Sequence, residues 1–261
     1  MILYGKPIAE KIYAHIKNDL KKIKDSLAMS AILVGEDPAS LMYVKAKEKR
    51  AAKLGIDFKL YHFPVITGEN KILELIEKLN KKSHIKGIII QLPLPENIDT
   101  DKILKALLPE KDLDGFSGKY SPPTGQAILE IFKFYNIETK AKKIVIVGFG
   151  RLVGKPLARL LEKKKIKPII CTSSSDIASE TLDADIIISA TGTPGLIKPE
   201  MVSKKAIIID AGTAESRGKI RGDVDTKIYE KVASYTPTPG GVGPVTVACL
   251  MRNLVEAKKL A

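Results

Sequence analysis

The chain has 261 residues, with 43 lysines and arginines against 30 aspartates and glutamates, a net charge of +13, and 44% hydrophobic residues. This balance excludes a disordered or fibrous chain, and the length accommodates one large or two moderate domains. No apolar run approaches the ~18 residues of a membrane span, and MILYGKPIAEKI lacks the basic-then-apolar order of a secretory signal, so a cytoplasmic location is expected.

In chain order, residues 6–27 carry apolar positions at helical spacing, and SAILVG (30–35) is a short apolar run ended by glycine. A helical pattern follows from about Ala39 to Leu54, with Gly55 as its C-cap. IDFKLYHF (56–63) alternates like a strand, 68–80 reads as a helix, and KGIIIQLPLP (86–95) is a buried strand closed by prolines. KIVIVG (143–148), KPIIC (167–171), ADIIISATG (184–192) and KAIIIDAG (205–212) repeat the strand pattern in the second half. A last helical pattern covers about 245–260. Such βα units predict an α/β fold with parallel sheets and helices on both faces. The stretch GFSGKYSPPTG (115–125) is read as a linker between two domains, 1–118 and 119–244.

Cys171 and Cys249 have no CxxC spacing, and His15, His62 and His84 are scattered, so neither a disulfide framework nor a metal site is expected. The positive charge admits a nucleic-acid partner. The basic residues are spread along the chain, however, and only 5% of residues are aromatic, with no tryptophan, which gives no stacking platform. Attraction of a polyanionic small molecule explains the charge equally well.

IVIVGFGRLVGKP (144–156) sets Gly148, Gly150 and Gly154 after a strand and at the start of a helix, with Arg151, Leu152 and Val153 between them. Glycines there let the backbone approach a pyrophosphate seated on the helix N-terminus. The next strand leads into Cys171, Thr172, Ser173, Ser174 and Ser175 rather than an acidic residue, and Asp176 reads as the N-cap of the following helix. Hydroxyls with Arg151 suit a ribose 2′-phosphate, so NADP is expected rather than NAD. Thr191 and Gly192 end the following strand and join the candidate cofactor residues.

YVKAK (43–47), QLPLP (91–95), KDLDGF (111–116), GRLVGKP (150–156) and PTPGGVGPVT (237–246) occur in this order. As a set they resemble the methylenetetrahydrofolate dehydrogenase/cyclohydrolase family over essentially the whole chain. The resemblance implies oxidation of 5,10-methylene-tetrahydrofolate by NADP and hydrolysis of the methenyl product to 10-formyl-tetrahydrofolate. It also implies a homodimer, an N-terminal domain completed by 245–261, a Rossmann-like second domain, and folate in the cleft between them. Tyr43 and Lys47 are four apart on one helix and share a face. A tyrosine ring can lie against a flat pterin or aminobenzoyl ring. As a base, Lys47 must bring its pKa from ~10.4 toward ~7–8. The resemblance assigns that role to Lys47 with Gln91 tuning it, and gives Asp114 the pterin edge; Asp112 reads as structural. Lys45, Lys49 and Arg50 read as a solvated face. Pro239, Gly240 and Gly241 are implied to close over substrate, and Thr246 either caps the last helix or touches the cofactor. Two departures stand out: Phe149 occupies a position where the family usually has a basic residue, and the loop after Asp114 is short. The competing readings are a dehydrogenase without hydrolase activity, another Rossmann oxidoreductase, and a nucleic-acid-binding protein.

Overall fold

Apolar residues in this chain recur every three or four positions, run continuously or, in 56–63, alternate, and each pattern folds in its own way. The computed structural model describes residues 1–23, 25–216 and 219–260. Lys24, within the expected 6–27 pattern, and Ala261, at the end of 245–261, lie outside them. The first half contains α1 (Gly5–Leu20), β1 (Ala28–Val34), α2 (Pro38–Lys53), β2 (Asp57–Phe63), α3 (Glu69–Asn80), β3 (Ile85–Ile90) and α4 (Thr100–Lys105). The second contains α5 (Pro123–Phe134), β4 (Ile144–Val147), α6 (Gly154–Lys163), β5 (Ile169–Cys171), α7 (Ile177–Leu182), β6 (Ile186–Ser189), β7 (Ile207–Asp210), β8 (Ala214–Ser216), β9 (Lys219–Arg221), β10 (Ser234–Tyr235) and α8 (Val242–Lys259). Among the described residues, no helix is long and apolar enough to cross a membrane.

Two compact units result: Ile12–Pro123 with Val247–Ala261, and Met1–Lys11 with Thr124–Thr246. The first holds a parallel sheet in the order β2-β1-β3. Its central strand β1 is buried at every position, while edge strand β2 alternates between exposed and half-buried residues. That is the burial expected of a central and an edge strand. Ile32, Ile72, Ile76, Ile88 and Ile103 pack β1 and β3 against α3 and α4. Gly55 takes φ +69 just past α2, as a C-cap residue should.

The segment read as a linker is held down. Asp112 accepts N–H bonds from Gly115 (3.2 Å) and Ser117 (2.6 Å), Tyr120 is buried and donates to Glu110 O (3.0 Å), and Pro123 already opens α5. Asn253 of α8 donates to Leu113 O (2.9 Å) and Ser121 O (3.0 Å). These bonds consume the backbone groups that a free linker would leave to water.

The second unit is built on a parallel five-stranded sheet in the order β10-β7-β6-β4-β5, with the antiparallel pair β8-β9 beside it. Val145, Val147, Ile187 and Ile208 fill its core. Residues 1–11, grouped with the first half in the sequence reading, pack in this unit. Ile2 bridges Tyr235, Leu3 N donates to Tyr235 O (2.8 Å), and Gly5 N donates to Gly240 O (2.9 Å). A Cβ on Gly5 would lie 1.9 Å from Gly241 O, so the chain start seats directly on the glycine loop.

Candidate active site

In the first unit the chain leaves β1 for β2 on one side and returns to β3 on the other. The strand order therefore reverses between β1 and β3, and the C-terminal ends of such strands are where open α/β sheets take ligands. Gln91 is the residue immediately after β3, held by its N–H to Ile32 O (2.9 Å). Beyond β1 the chain turns at Gly35 (φ +88) into α2, whose N-cap Asp37 accepts from Ser40 N (2.7 Å).

The buried residues of α2 are Ser40, Val44, Lys47 and Ala51, a stripe spaced four, three and four apart. Lys47 is thus a core position occupied by a cation, only 9% exposed. Its Nζ donates to Gln91 Oε1 at 3.0 Å. Gln91 Nε2 in turn donates to Leu92 O at 2.8 Å, which fixes the amide so that its oxygen faces the lysine. A neutral amide cannot neutralise an ammonium, so burial drives the Lys47 pKa down, opposed by the charge of Asp114. Asp114 is half-buried, and burial pushes its pKa up to about 6, against the Lys47 charge and with help from Asp112. A bridge between Ile88 and Asp112, parallel to β3, directs Asp114 toward the same end of the sheet. Leu113 seals this pairing: a Cβ on Gly87 would lie 2.2 Å from its Cδ1. Tyr43 is half-buried one turn before Lys47. Lys47, Gln91 and Asp114 therefore come together. Lys45 and Lys49 are exposed as expected, but Arg50 is half-buried with its guanidinium 3.9 Å over the Tyr13 ring.

The second unit repeats the topology. The chain passes from β4 to β5 on one side and to β6 on the other, so the reversal lies between β4 and β6. Gly148 follows β4, Thr191 and Gly192 follow β6, and Ser173 and Ser174 follow β5. The three glycines of the motif have different surroundings. Gly148 takes φ +97, and its Cβ would meet Ala190 O at 2.6 Å; on Gly154 a Cβ would meet Gly148 O at 2.0 Å. A Cβ on Gly150 would meet nothing within 4 Å. Two glycines thus close the turn on itself and the third leaves room beside α6, whose N-cap Val153 makes no side-chain bond to the helix. That donor set fits a pyrophosphate. Arg151 and Leu152 are exposed on the turn, and Phe149 is 39% exposed with Lys155 Nζ 5.8 Å from its ring. Thr172 bonds Ser174 (2.9 Å) and Ser175 (3.0 Å), shaping the hydroxyl loop, and Asp176 caps α7 through Ser179 N at 3.1 Å.

Pro239, Gly240 and Gly241 lie in this unit on the loop between β10 and α8, with Gly240 at φ +112 and Gly241 N bonded to Pro237 O at 2.7 Å. α8 begins at Val242, earlier than the pattern suggests, so Thr246 sits a turn inside it. Its hydroxyl donates back to Val242 O at 3.2 Å and does not cap the helix.

Sequence reasoning missed a buried acid pair, Asp210 and Asp223, 2% and 0% exposed. The available signal was the glycine near each: Gly212 lies against the Asp223 carboxylate and Gly222 against that of Asp210, with Cβ positions 2.0 and 1.8 Å from the nearest oxygens.

A model described as the tetrahydrofolate dehydrogenase/cyclohydrolase catalytic domain matches residues 3–114, and one described as the tetrahydrofolate dehydrogenase/cyclohydrolase NAD(P)-binding domain matches 122–261. The bifunctional protein FolD of Halothermothrix orenii is 41% identical over 276 residues, spanning 99% of this chain and 98% of that protein. Among solved structures, the bifunctional FolD methylenetetrahydrofolate dehydrogenase/cyclohydrolase of Campylobacter jejuni matches with a TM-score of 0.92 and 35% identity, over 100% of this chain and 99% of that one. The Trypanosoma brucei dehydrogenase-cyclohydrolase, complexed with NADP and inhibitor, matches with a TM-score of 0.93 and 29% identity, over 100% and 97%.

Proposed function

The chain belongs to the tetrahydrofolate dehydrogenase/cyclohydrolase family, and we propose that Lys47, tuned by Gln91 and Asp114, is the group that manages the proton in its chemistry. The enzyme oxidises 5,10-methylene-tetrahydrofolate to the 5,10-methenyl cation with NADP and hydrolyses that cation to 10-formyl-tetrahydrofolate. The observation that supports the proposal is the 3.0 Å bond between a core lysine and a neutral amide.

NADP supplies the hydride acceptor when bound, and Gly148, Gly150, Arg151, Leu152, Val153, Gly154, Ser173, Ser174, Thr191, Gly192 and Thr246 are the residues assigned to hold it. The dehydrogenation leaves an amidinium carbon short of electrons. In the hydrolysis, water adds to that carbon and loses a proton as the new C–O bond forms. A neutral Lys47 amine takes that proton, since burial has already lowered its pKa. Gln91 accepts one N–H and so leaves the amine lone pair free to face the water. The C–N5 bond then breaks, N5 regains a proton, and the formyl group stays on N10; one proton is released for each cation hydrolysed. Asp114 offers two oxygens to the paired N–H donors of the pterin edge. Burial pushes its pKa up to about 6 against the Lys47 charge, so it is mainly ionised at neutral pH while Lys47 carries its proton. Tyr43 offers its ring face to the same flat ligand, and Pro239, Gly240 and Gly241 are assigned to cover the substrate.

The division of labour proposed is 1–118 with 245–261 for folate and 119–244 for the dinucleotide, although residues 1–11 pack in the second unit. The chain is further read as a cytoplasmic homodimer, on the strength of the resemblance, and light scattering on the purified protein tests the dimer. For the catalytic role, Lys47→Met should lower hydrolysis of methenyl-tetrahydrofolate about 10²–10⁴-fold and leave the KM for NADP unchanged. Retained hydrolysis in a folded variant overturns the assignment.

A further inference from the structure

The acid pair behind the dinucleotide turn is not used in the chemistry above, yet its carboxylates accept five hydrogen bonds among the described residues. Asp223 Oδ2 accepts from the Ser189 hydroxyl (2.7 Å) and from Thr191 N–H (2.6 Å). Its other oxygen, Oδ1, is buried without a hydrogen-bond partner. Asp210 fixes the backbone that carries Asp223: its Oδ1 accepts from Asp223 N (3.1 Å) and Gly212 N (3.2 Å), and its Oδ2 from Val224 N (3.3 Å). Leaving one carboxylate oxygen dry and unbonded is unfavourable. The arrangement makes sense if the other oxygen has a task that neither a hydroxyl nor a neutral amide performs as well.

That task is legible in what Thr191 touches. Thr191 follows β6 at the point where the strand order reverses. Its turn is packed against the glycine turn after β4: a Cβ on Gly148 would lie 2.6 Å from Ala190 O and 3.0 Å from Thr191 Cγ2. The Thr191 side chain is also engaged, accepting from Thr193 N at 3.1 Å. A shift of Thr191 therefore moves one wall of the turn at Gly148.

We propose that Asp223 is a positioning residue for NADP: its carboxylate, by holding Thr191 N–H and the Ser189 hydroxyl, braces the turn after β6 against the Gly148 turn. The proposal rests on the reading that these two turns hold the dinucleotide. A carboxylate suits the task because a charge-assisted bond to a backbone N–H is about twice as strong as a neutral one. Its burial also keeps the negative charge from facing a polyphosphate.

The test separates cofactor binding from hydrolysis. Water addition to the methenyl cation transfers no electrons, so it can be assayed on methenyl-tetrahydrofolate without NADP. Asp223→Ala should raise the KM for NADP about ten- to a hundredfold, the scale of a misplaced binding group, while that hydrolysis stays within about twofold. Asp223→Asn keeps an oxygen for both donors without the charge and should raise the same KM by less. Equal loss of both activities in both variants, or an unmoved KM for NADP, overturns the proposal. Gly150→Val separates the two layers of the argument. A Cβ at this position meets nothing within 4 Å, so the substitution starts in open space, and its methyl groups extend into the space assigned to the ligand. If it leaves the KM for NADP unmoved, the turn assignment fails and the bracing role falls with it. If it raises that KM and the Asp223 variants do not, only the bracing role fails.

Discussion

Both units place the residues proposed for function at the reversal point of a parallel sheet, and they place charge there in opposite ways. Beside β1 and β3, Lys47 and Asp114 share a weakly screened setting, and burial shifts the pKa of each toward its neutral form. Beside β4 and β6, the acids are turned inward behind Gly212 and Gly222, and the turn offers glycine backbone. The topology is common to both; the difference matches the ligand proposed for each. Moving a proton calls for a titratable side chain whose pKa has been brought toward neutrality. Binding a polyphosphate calls for backbone N–H groups and no facing carboxylate.

The largest effect expected from this contrast is in stability rather than rate. The carboxyl of Asp210 moves from 3.8 to about 7, mainly by burial and then by the neighbouring Asp223 charge. In the unfolded chain the proton leaves near the lower value, while the fold retains it to the upper one. Between them the folded state binds more protons, so stability falls as pH rises through that window. The shift corresponds to about 4 kcal/mol at most. Asp210→Asn has no such proton to lose. Chemical denaturation between pH 4 and 7 should show a shallower decline in the variant than in the parent. Asp114 contributes a smaller decline of the same sign to both proteins, so the comparison is of slopes. Equal slopes would break the claim that burial makes the fold retain the Asp210 proton.

At the other site the same logic is tested through rate. Gln91→Glu puts a carboxylate where a neutral oxygen now sits 3.0 Å from Lys47 Nζ. An opposite charge at that range raises an amine pKa by about 1–3 units. Fewer amines are then neutral at pH 7. Hydrolysis should fall about a hundredfold, and its pH–rate profile should move upward by about two units. An unchanged profile would mean that the lysine proton is not the one being moved, and the contrast between the two sites would lose its chemical half.

Much of this was readable before the structure, and what was not has identifiable causes. Central strands with continuous apolar runs, such as AILV in β1 and IVIV in β4, are local signals. So are the Gly55 C-cap and the Asp176 N-cap. That Lys47 differs from its neighbours came from the family resemblance; the buried stripe Ser40, Val44, Lys47 and Ala51 that explains it shows only in the fold. The acid pair joins residues thirteen apart through backbone N–H bonds, such as Asp223 N to Asp210 Oδ1, that no periodicity encodes. The stretch 115–125 does contain the division between the two units, at Pro123 and Thr124, but that it is held down rather than free was not readable, for a related reason. Gly, Ser and Pro predict turns, but whether a turn is free depends on distant partners, here Asn253 of α8. Residues 1–11 follow the same rule, since their place is set by Tyr235 and Gly240.

The smallest effect tests whether charge on α2 matters only where water is excluded. Lys45 and Lys49 are exposed, while Arg50 stacks at 3.9 Å on Tyr13, whose hydroxyl is raised to about 12 chiefly by burial and lowered in part by that same guanidinium. A half-buried cation over a ring contributes on the order of 0.5–1 kcal/mol. Arg50→Met keeps most of the aliphatic packing and removes the cation. It should lower the denaturation midpoint slightly and leave both activities within about twofold, while Lys45→Met and Lys49→Met change neither. Urea titration of the three variants beside the parent measures this. If Lys45→Met or Lys49→Met reduced hydrolysis as Lys47→Met does, the run of lysines would act as a field rather than through one buried amine. The distinction between Lys47 and its neighbours would then have to be abandoned.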